Sequence, residues 1–175
     1  RNWRIPSFED LDTDLMAMRM TEIVVGSEWE ARPGWIFSGR YVRKNLDRAI
    51  EDVGRSTPEG EAYYITNPGY GFSVDKFIEA GLPPTPKAKR TYNALEFRLR
   101  RPFTNRWLGD ISYVYSRLRG IYSGLGSSDE AGRLSPNVDR DFDSWFLNYD
   151  SHGKLIDGPI NSDRPHQIKF HGAYE

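Results

Sequence analysis

The stretch TYNALEFRLRRPF (91–103) decides the fold class, because its residues alternate in character. Leu95 and Phe97 belong to a set of alternate positions that is apolar through its middle, whereas Glu96 and Arg98 belong to a charged set. A period of two is typical of a β-strand whose two faces meet different surroundings. The stretch therefore predicts a strand with one apolar face, which contacts either a protein core or lipid.

Length and composition narrow the function classes. The chain has 175 residues, and its 24 basic and 25 acidic residues nearly balance, which indicates no general attraction to nucleic acid. The sequence has no cysteine, so disulfides, thiolate metal ligands and thiol nucleophiles are excluded. It also lacks an apolar run of roughly 18 residues, so no transmembrane helix is predicted, but a membrane-spanning β-strand needs only about 9 to 11 alternating residues.

Five segments show this alternation and predict an all-β fold, an antiparallel meander of about five strands with two long loops. The strands are expected at 19–31, 34–44, 89–102, 106–119 and 165–175, and the loops at 45–88 and 121–163. Short turns at Pro33-Gly34 and Thr104-Asn105 predict that the first segment pairs with the second and the third with the fourth. Short turns on one rim and long loops on the other are typical of a transmembrane β-barrel.

The first long loop carries two helical patterns. The stretch RKNLDRAIEDVG (43–54) places its apolar residues at helical spacing, with Gly54 as a stop. The stretch DKFIEAGL (75–82) is a second candidate helix. We therefore expect short helices within this loop.

The two long loops are also expected to fold over one another as a compact cap at the same end of the sheet. Each loop follows a hairpin whose short turn lies at the other end, and the loops contain residues of a type that is usually buried. These residues are Ile50, Phe77, Phe142, Trp145 and Phe146.

Aromatic residues mark both ends of the predicted strands. Near the short turns lie Trp29, Trp35, Phe103 and Trp107, and toward the other ends lie Tyr41, Tyr113 and Tyr115. Two aromatic girdles are typical of membrane barrels. The same alternation also suits a soluble antiparallel sheet whose apolar face packs on a second layer, so the pattern alone leaves both structures open.

Longer motifs add a family resemblance. The stretches YSRLRGIYSGLGSSDEAGRLSPNVDRDFD and DRPHQIKFHGAYE resemble the C-terminal barrel region of TonB-dependent outer-membrane receptors, in particular the Oar-like group with a carboxypeptidase-regulatory-like domain. YVRKNLDRAIEDVG and NPGYG resemble the preceding strand and extracellular loop of that group. The resemblance covers about Thr21 to Glu175 and implies solute binding and uptake at the bacterial cell outer membrane. The implied partners are outer-membrane lipid, the remaining barrel strands, the plug and a TonB-type energy-coupling protein.

The chain also departs from that family. It has no recognisable plug domain or TonB-contacting segment, and about five strands cannot close a barrel, since the smallest outer-membrane barrels use about eight. We therefore expect either a fragment of a longer receptor or a sheet whose edges are covered by other chains. A second hypothesis is a non-enzymatic structural or binding subunit that uses receptor-like β-hairpins to dock on partner proteins.

Candidate site residues fall into two groups. The lumen-facing candidates are Glu96, Arg98, Arg100 and Asp110, which would line a solute path or hold a plug, with plain wall solvation as the alternative. The loop binding candidates are Asp139, Asp141, Asp143 and Trp145. The acidic loop lacks the glycine bend and closing glutamate of a calcium-binding EF-hand, so solvated carboxylates are favoured there.

No catalytic residue, metal site or cofactor is predicted. Of the three histidines, His166 and His171 fall on opposite faces of one predicted strand. The sequence GLGSSD lacks the third glycine and the βαβ setting of a dinucleotide-binding motif. The chemistry-bearing motifs of enzymes are thus missing, and a transport or binding function is favoured.

Overall fold

The computed structural model describes residues 11–57, 60–124, 141–142 and 145–175. Its strands are β1 (Arg19–Arg32), β2 (Trp35–Arg48), β3 (Glu51–Thr57), β4 (Gly60–Thr66), β5 (Arg90–Thr104), β6 (Trp107–Gly120), β7 (Gly158–Pro159) and β8 (His166–Tyr174). One α-helix, α1 (Gly71–Glu79), and a 3-10 helix (Trp145–Asn148) complete the described elements. The predicted all-β fold class is confirmed.

Six of these strands form one sheet in which β1, β2, β5, β6 and β7 are neighbours in that order, and β8 also pairs with β6. β2 and β5 pair antiparallel with Arg40 opposite Glu96, and β6 and β8 pair antiparallel with Asp110 opposite His171. The order places β1 beside β2 and β5 beside β6. Neither predicted strand pair is separated by another strand.

The turn between β5 and β6 lies one residue later than the sequence indicated. Asn105 and Arg106 both have positive φ angles, 52° and 69°. Two consecutive left-handed residues are typical of a type I′ turn, whose twist matches that of the flanking strands. Asparagine tolerates this conformation well, whereas arginine rarely adopts it, which is why composition alone misplaced the turn.

The chain divides into two compact units. The connection unit contains the described parts of Arg1–Met20, Leu46–Lys89 and Gly120–Gly158, and the strand unit contains Thr21–Asn45, Arg90–Arg119 and Pro159–Glu175. The strand unit thus holds most of the long strands. The connection unit holds the β3–β4 hairpin and α1.

The two long connections share one hydrophobic core in the connection unit. Its buried residues are Leu46, Ala49, Val53, Phe77, Ala88, Ile121, Tyr122, Phe142 and Trp145. The rings of Phe77 and Trp145 meet edge to face with centroids 5.3 Å apart. Residues of both connections therefore pack together, as their aromatic content indicated, although Phe146 is 51% exposed and does not join the interior.

The predicted helix within 43–54 is wrong. Leu46 lies in β2 and Val53 in β3, and both side chains point into the same core. The helical spacing arises because two strands, joined at Ala49-Ile50, each contribute an inward residue. The second candidate helix is confirmed in part, since α1 covers Gly71–Glu79 and so begins earlier than the stretch 75–82.

Asn67 joins three segments of the connection unit. Its side-chain nitrogen donates to the carbonyl oxygens of Met16 at 2.9 Å and Ala49 at 2.7 Å, and its side-chain oxygen accepts the backbone N–H of Met16 at 2.7 Å. The residue is only 1% exposed. Because buried amides left without partners are costly, this one residue fixes the course of the chain before β1.

The rest of the NPGYG stretch (67–71) continues this polar arrangement. The Ser73 hydroxyl donates to the carbonyl oxygen of Asn67 at 2.9 Å, and the Thr85 hydroxyl donates to Ser73 at 3.1 Å and accepts the Gly69 N–H at 3.0 Å. A Cβ atom on Gly69, whose φ is +74°, would lie 2.6 Å from the backbone nitrogen of Lys87. The backbones at 69 and 87 thus approach too closely for any side chain at position 69.

Candidate functional site

One face of the strand unit is charged, and its charges are paired across neighbouring strands. Arg40 Nε on β2 lies 2.5 Å from a carboxylate oxygen of Glu96 on β5. Arg98 Nε on β5 donates to both carboxylate oxygens of Asp110 on β6, each at 3.0 Å, and its Nη2 also contacts Asp110. The two ion pairs therefore tie three adjacent strands together on one face.

These ion pairs border an open cavity of about 930 Å³ within the strand unit. Its charged lining residues are Glu28, Arg40, Glu96, Arg98, Asp110, Lys169 and His171. The acidic and basic side chains nearly balance, and most of their polar groups face water. Such a surface can hydrogen-bond a polar solute or another polar protein surface without a strong net charge.

Close approach of β1 and β2 shapes this cavity at Gly26. A Cβ atom at Gly26 would lie 2.5 Å from Cβ of Arg40 and 2.8 Å from the carbonyl oxygen of Gly39. Only glycine fits this contact. The absence of a side chain at position 26 leaves space for the Arg40 side chain, which reaches toward Glu96.

The structure brings three of the four lumen-facing candidates together. Glu96, Arg98 and Asp110 line the cavity, whereas Arg100 shares their face opposite Ile36 but lies outside the lining residues. Sequence reasoning did not select Arg40, although it occupies a polar position of its own alternating strand. Its partner Glu96 lies 56 residues away in the chain, and no local pattern encodes that pairing.

The opposite face of the strand unit is apolar and open. Val25 on β1 is 66% exposed, Phe97 on β5 39%, Ile111 on β6 44% and Phe170 on β8 77%. Ile111 lies directly opposite Phe170, and Tyr113 opposite Ile168. A contiguous apolar face of this kind marks a surface that contacts lipid or another protein.

Aromatic clusters border this apolar face at both ends of the strands. At the short-turn end, Trp35 and Trp107 meet edge to face with centroids 5.7 Å apart. At the other end, His166 lies near Tyr113 and Tyr115, with centroids 6.1 and 5.3 Å away, and the Tyr113 hydroxyl and His166 Nδ1 are hydrogen-bonded at 2.8 Å. The aromatic side chains thus cluster where girdles were predicted.

The loop binding candidates do not form a surface site in the described residues. Trp145 is 2% exposed and packs in the core of the connection unit. The Asp141 carboxylate accepts the Ser123 hydroxyl at 2.7 Å and so stabilises the chain after β6. Asp139 and Asp143 lie outside the described residues.

The connection unit has a second, smaller cavity, of about 360 Å³, bordered by Asp12, Asp14 and Asp75. Both Asp12 oxygens already accept hydrogen bonds, from the Asp14 N–H at 2.9 Å and the Thr66 hydroxyl at 2.8 Å. Within the described residues no set of three histidine, aspartate or glutamate side chains is close enough to bind a metal ion. Away from this cavity, where Tyr149 packs against the hydrophobic core, burial raises the pKa of its hydroxyl.

The Arg98–Asp110 pair is expected to contribute little to stability despite its bidentate geometry. The Arg98 side chain is 52% exposed and that of Asp110 22%, so water screens their attraction. A double-mutant cycle with Arg98→Gln and Asp110→Asn should give a coupling energy of no more than about 1 kcal/mol in urea unfolding. A coupling of several kcal/mol would show instead that the cavity is closed to water.

Comparisons with known proteins give one informative similarity. The chain is 39% identical over 165 residues to the TonB-dependent transporter Oar of Myxococcus xanthus. The alignment covers 94% of this chain, but the chain spans only 14% of the length of that relative. No model of a protein family matches the chain, and no solved structure matches it. The resemblance to the Oar-like group is confirmed for this segment.

In the described part of the chain, no helix is both long and apolar enough to cross a membrane.

Proposed function

We propose that this chain, which is homologous to a segment of a TonB-dependent transporter, forms part of the barrel wall of an outer-membrane receptor. Its apolar face would contact lipid and its charged face the lumen. The receptor would bind a solute and take it up across the outer membrane. The proposed partners are therefore the outer-membrane lipid, the remaining barrel strands and plug, and a TonB-type protein acting through other regions.

The two unlike faces of the strand unit carry this proposal. A soluble sheet would cover an apolar face that includes Phe97, Ile111 and Phe170, yet all three side chains are exposed. The other face presents ion pairs to water. Lipid on one side and an aqueous lumen on the other satisfy both faces, and this arrangement is general for outer-membrane barrels.

The distance between the aromatic clusters fits the thickness of a membrane. Trp107 and Tyr115 both lie on the apolar face of β6, eight residues apart. At about 3.3 Å per residue the strand rises roughly 26 Å between them, or about 20 Å along the membrane normal at a tilt of about 40°. The apolar band of outer-membrane barrels is about 25 Å tall, so the two clusters suit the two interfaces.

The connection unit is proposed as the solute-capturing surface, because binding groups commonly lie on loops that a rigid scaffold positions. Its fixed core and its buried Asn67 network hold the two connections in one arrangement. On the strand unit, Glu96, Arg98 and Asp110, with Arg40, would line the solute path or hold the plug. Arg100 would extend this polar wall beyond the cavity.

Quenching of tryptophan fluorescence by brominated lipids tests the proposal. Variants that keep only Trp107 or only Trp145 are placed in vesicles of phosphatidylcholine with brominated acyl chains. We expect strong quenching of Trp107, which borders the apolar face, and little quenching of Trp145, which is buried in the connection unit. Vesicles of unbrominated phosphatidylcholine serve as the control.

The competing function, a binding subunit that docks its hairpins on other proteins, predicts the reverse result. In that case Trp107 would show equal fluorescence in brominated and plain vesicles, and the chain would be monodisperse without detergent. Either observation would refute the membrane-wall proposal.

A further inference from the structure

Arg101 occupies an unusual position between two tryptophans at the short-turn end of the strand unit. The centre of its guanidinium group lies 4.3 Å from the ring centroid of Trp107 and 5.4 Å from that of Trp35. Both distances are within the range of cation–π attraction. The two indoles therefore hold the guanidinium at a fixed place and orientation.

The hydrogen-bonding capacity of Arg101 is largely unused. A guanidinium carries five N–H donors, and in the structure one Nη2 donor reaches the carbonyl oxygen of Thr104 at 3.3 Å. The Nε atom is shielded from water and has no acceptor. Among the described residues, no carboxylate lies within ion-pair distance of Arg101. By contrast, Arg40 on β2 and Arg98 on β5, which face the cavity, each have an acidic partner.

Arg101, which has no acidic partner among the described residues, lies on the apolar face of the strand unit. Leu99 pairs with Phe37 on the apolar face, and Arg101 follows two residues later on the same side of β5. Arg100, its neighbour, faces the opposite, charged side. If the apolar face contacts lipid, Arg101 lies beside the Trp35–Trp107 cluster at the depth of the headgroups, where indoles and long basic side chains concentrate.

We infer that Arg101, Trp35 and Trp107 form a binding site for the phosphate of an anionic phospholipid headgroup in the leaflet on the short-turn side. The planar fork of arginine matches two phosphate oxygens, and its remaining Nη donors have no acceptor among the described residues. A zwitterionic headgroup carries a positive group that competes with Arg101 for the phosphate. An anionic headgroup lacks this group and should therefore bind more tightly. This inference rests on the proposed function, because it requires the apolar face to contact lipid.

Indole NMR signals provide a local readout of this site. The chain has only five tryptophans, so single Trp→Phe variants assign each indole N–H signal. The protein is placed in phosphatidylcholine nanodiscs that contain a rising share of phosphatidylglycerol. We expect saturable shifts of the Trp35 and Trp107 signals and no shift for Trp29, which contacts Phe37 instead.

Substitutions at neighbouring arginines separate the site from general charge effects. Arg101→Gln should weaken the apparent preference for phosphatidylglycerol about fivefold, as expected for one basic residue near an anionic surface. Arg101→Lys keeps the charge without the fork and should give an intermediate loss. Arg100→Gln, on the opposite face, should leave the titration unchanged. Equal effects of Arg100→Gln and Arg101→Gln would overturn the inference.

Four further outcomes are decisive. An equal response to inorganic phosphate in an uncharged detergent would assign a site for free anions and not for lipid. The Arg101→Gln and Arg101→Lys variants are also measured in pure phosphatidylcholine. If both variants lose the Trp35 and Trp107 signals there, Arg101 has a packing role only. Quenching of Trp107 by brominated lipid without any headgroup preference would refute this inference alone, whereas absence of quenching would refute the proposed function itself.

Discussion

Replacing Gly69 by alanine should destabilise the connection unit by about 3 to 5 kcal/mol, a large effect for a single added methyl group. Two causes add. The φ of +74° disfavours any residue with a Cβ, and that Cβ would lie 2.6 Å from the Lys87 nitrogen and 2.7 Å from its Cα. Backbone atoms cannot move aside as a flexible side chain can. Urea unfolding followed by the fluorescence of the buried Trp145 measures the loss.

Gly81 provides a matched control for this substitution. Its φ is +72°, but a Cβ there would meet nothing within 4 Å. Gly81→Ala should therefore cost only the backbone term, about 1 to 2 kcal/mol. Equal losses for the two variants would show that the contact between a Cβ at position 69 and the Lys87 backbone adds nothing to the destabilisation.

Placing arginine on the apolar face should cost about 2 to 4 kcal/mol, provided that the face lies near the middle of a bilayer. The positions are Phe97 on β5 and Ile111 on β6, both central and exposed. In water the same substitutions at exposed strand positions would change stability by only about 0.5 kcal/mol. The measurement is the free energy of unfolding in phospholipid vesicles.

The control for the arginine substitutions is Ser112→Arg. Ser112 follows Ile111 in β6 and lines the charged cavity, so an added guanidinium should meet water there and cost little. If Ile111→Arg and Ser112→Arg are equally well tolerated, the two faces of the sheet do not differ in their surroundings, and the lipid contact is ruled out.

Period-two alternation predicted the long strands because each face of a strand lies in a single environment. Residues that are adjacent in the sequence then differ in polarity, and this pattern is visible without knowledge of distant contacts. The stretch 43–54 shows the limit of such patterns. Its apolar spacing suits a helix, but Leu46 and Val53 reach one core from two strands. The spacing of apolar residues indicates which side chains are buried. It does not show whether the chain between them is a helix or two strands joined by a short connection.

The charged site was predictable only in part for the same reason. Alternation identified Glu96, Arg98 and Asp110 as members of polar faces, and the hairpin turn brought Arg98 near Asp110. Arg40 was missed as a site residue because its pairing with Glu96 depends on the β2–β5 register. Similarly, NPGYG was noticed as a motif, but its role emerges only from contacts with Met16, Ala49 and Thr85, which lie far away in sequence.

The composite core of the connection unit has a consequence for the order of folding. Asn67 bonds Met16 across 51 residues, and the Gly54 N–H donates to the carbonyl oxygen of Phe142. Contacts of such high sequence separation form slowly, whereas the β1–β2 and β5–β6 hairpins close locally within microseconds. The hairpins should therefore form early, and the connection unit should consolidate only once all three of its segments have come together.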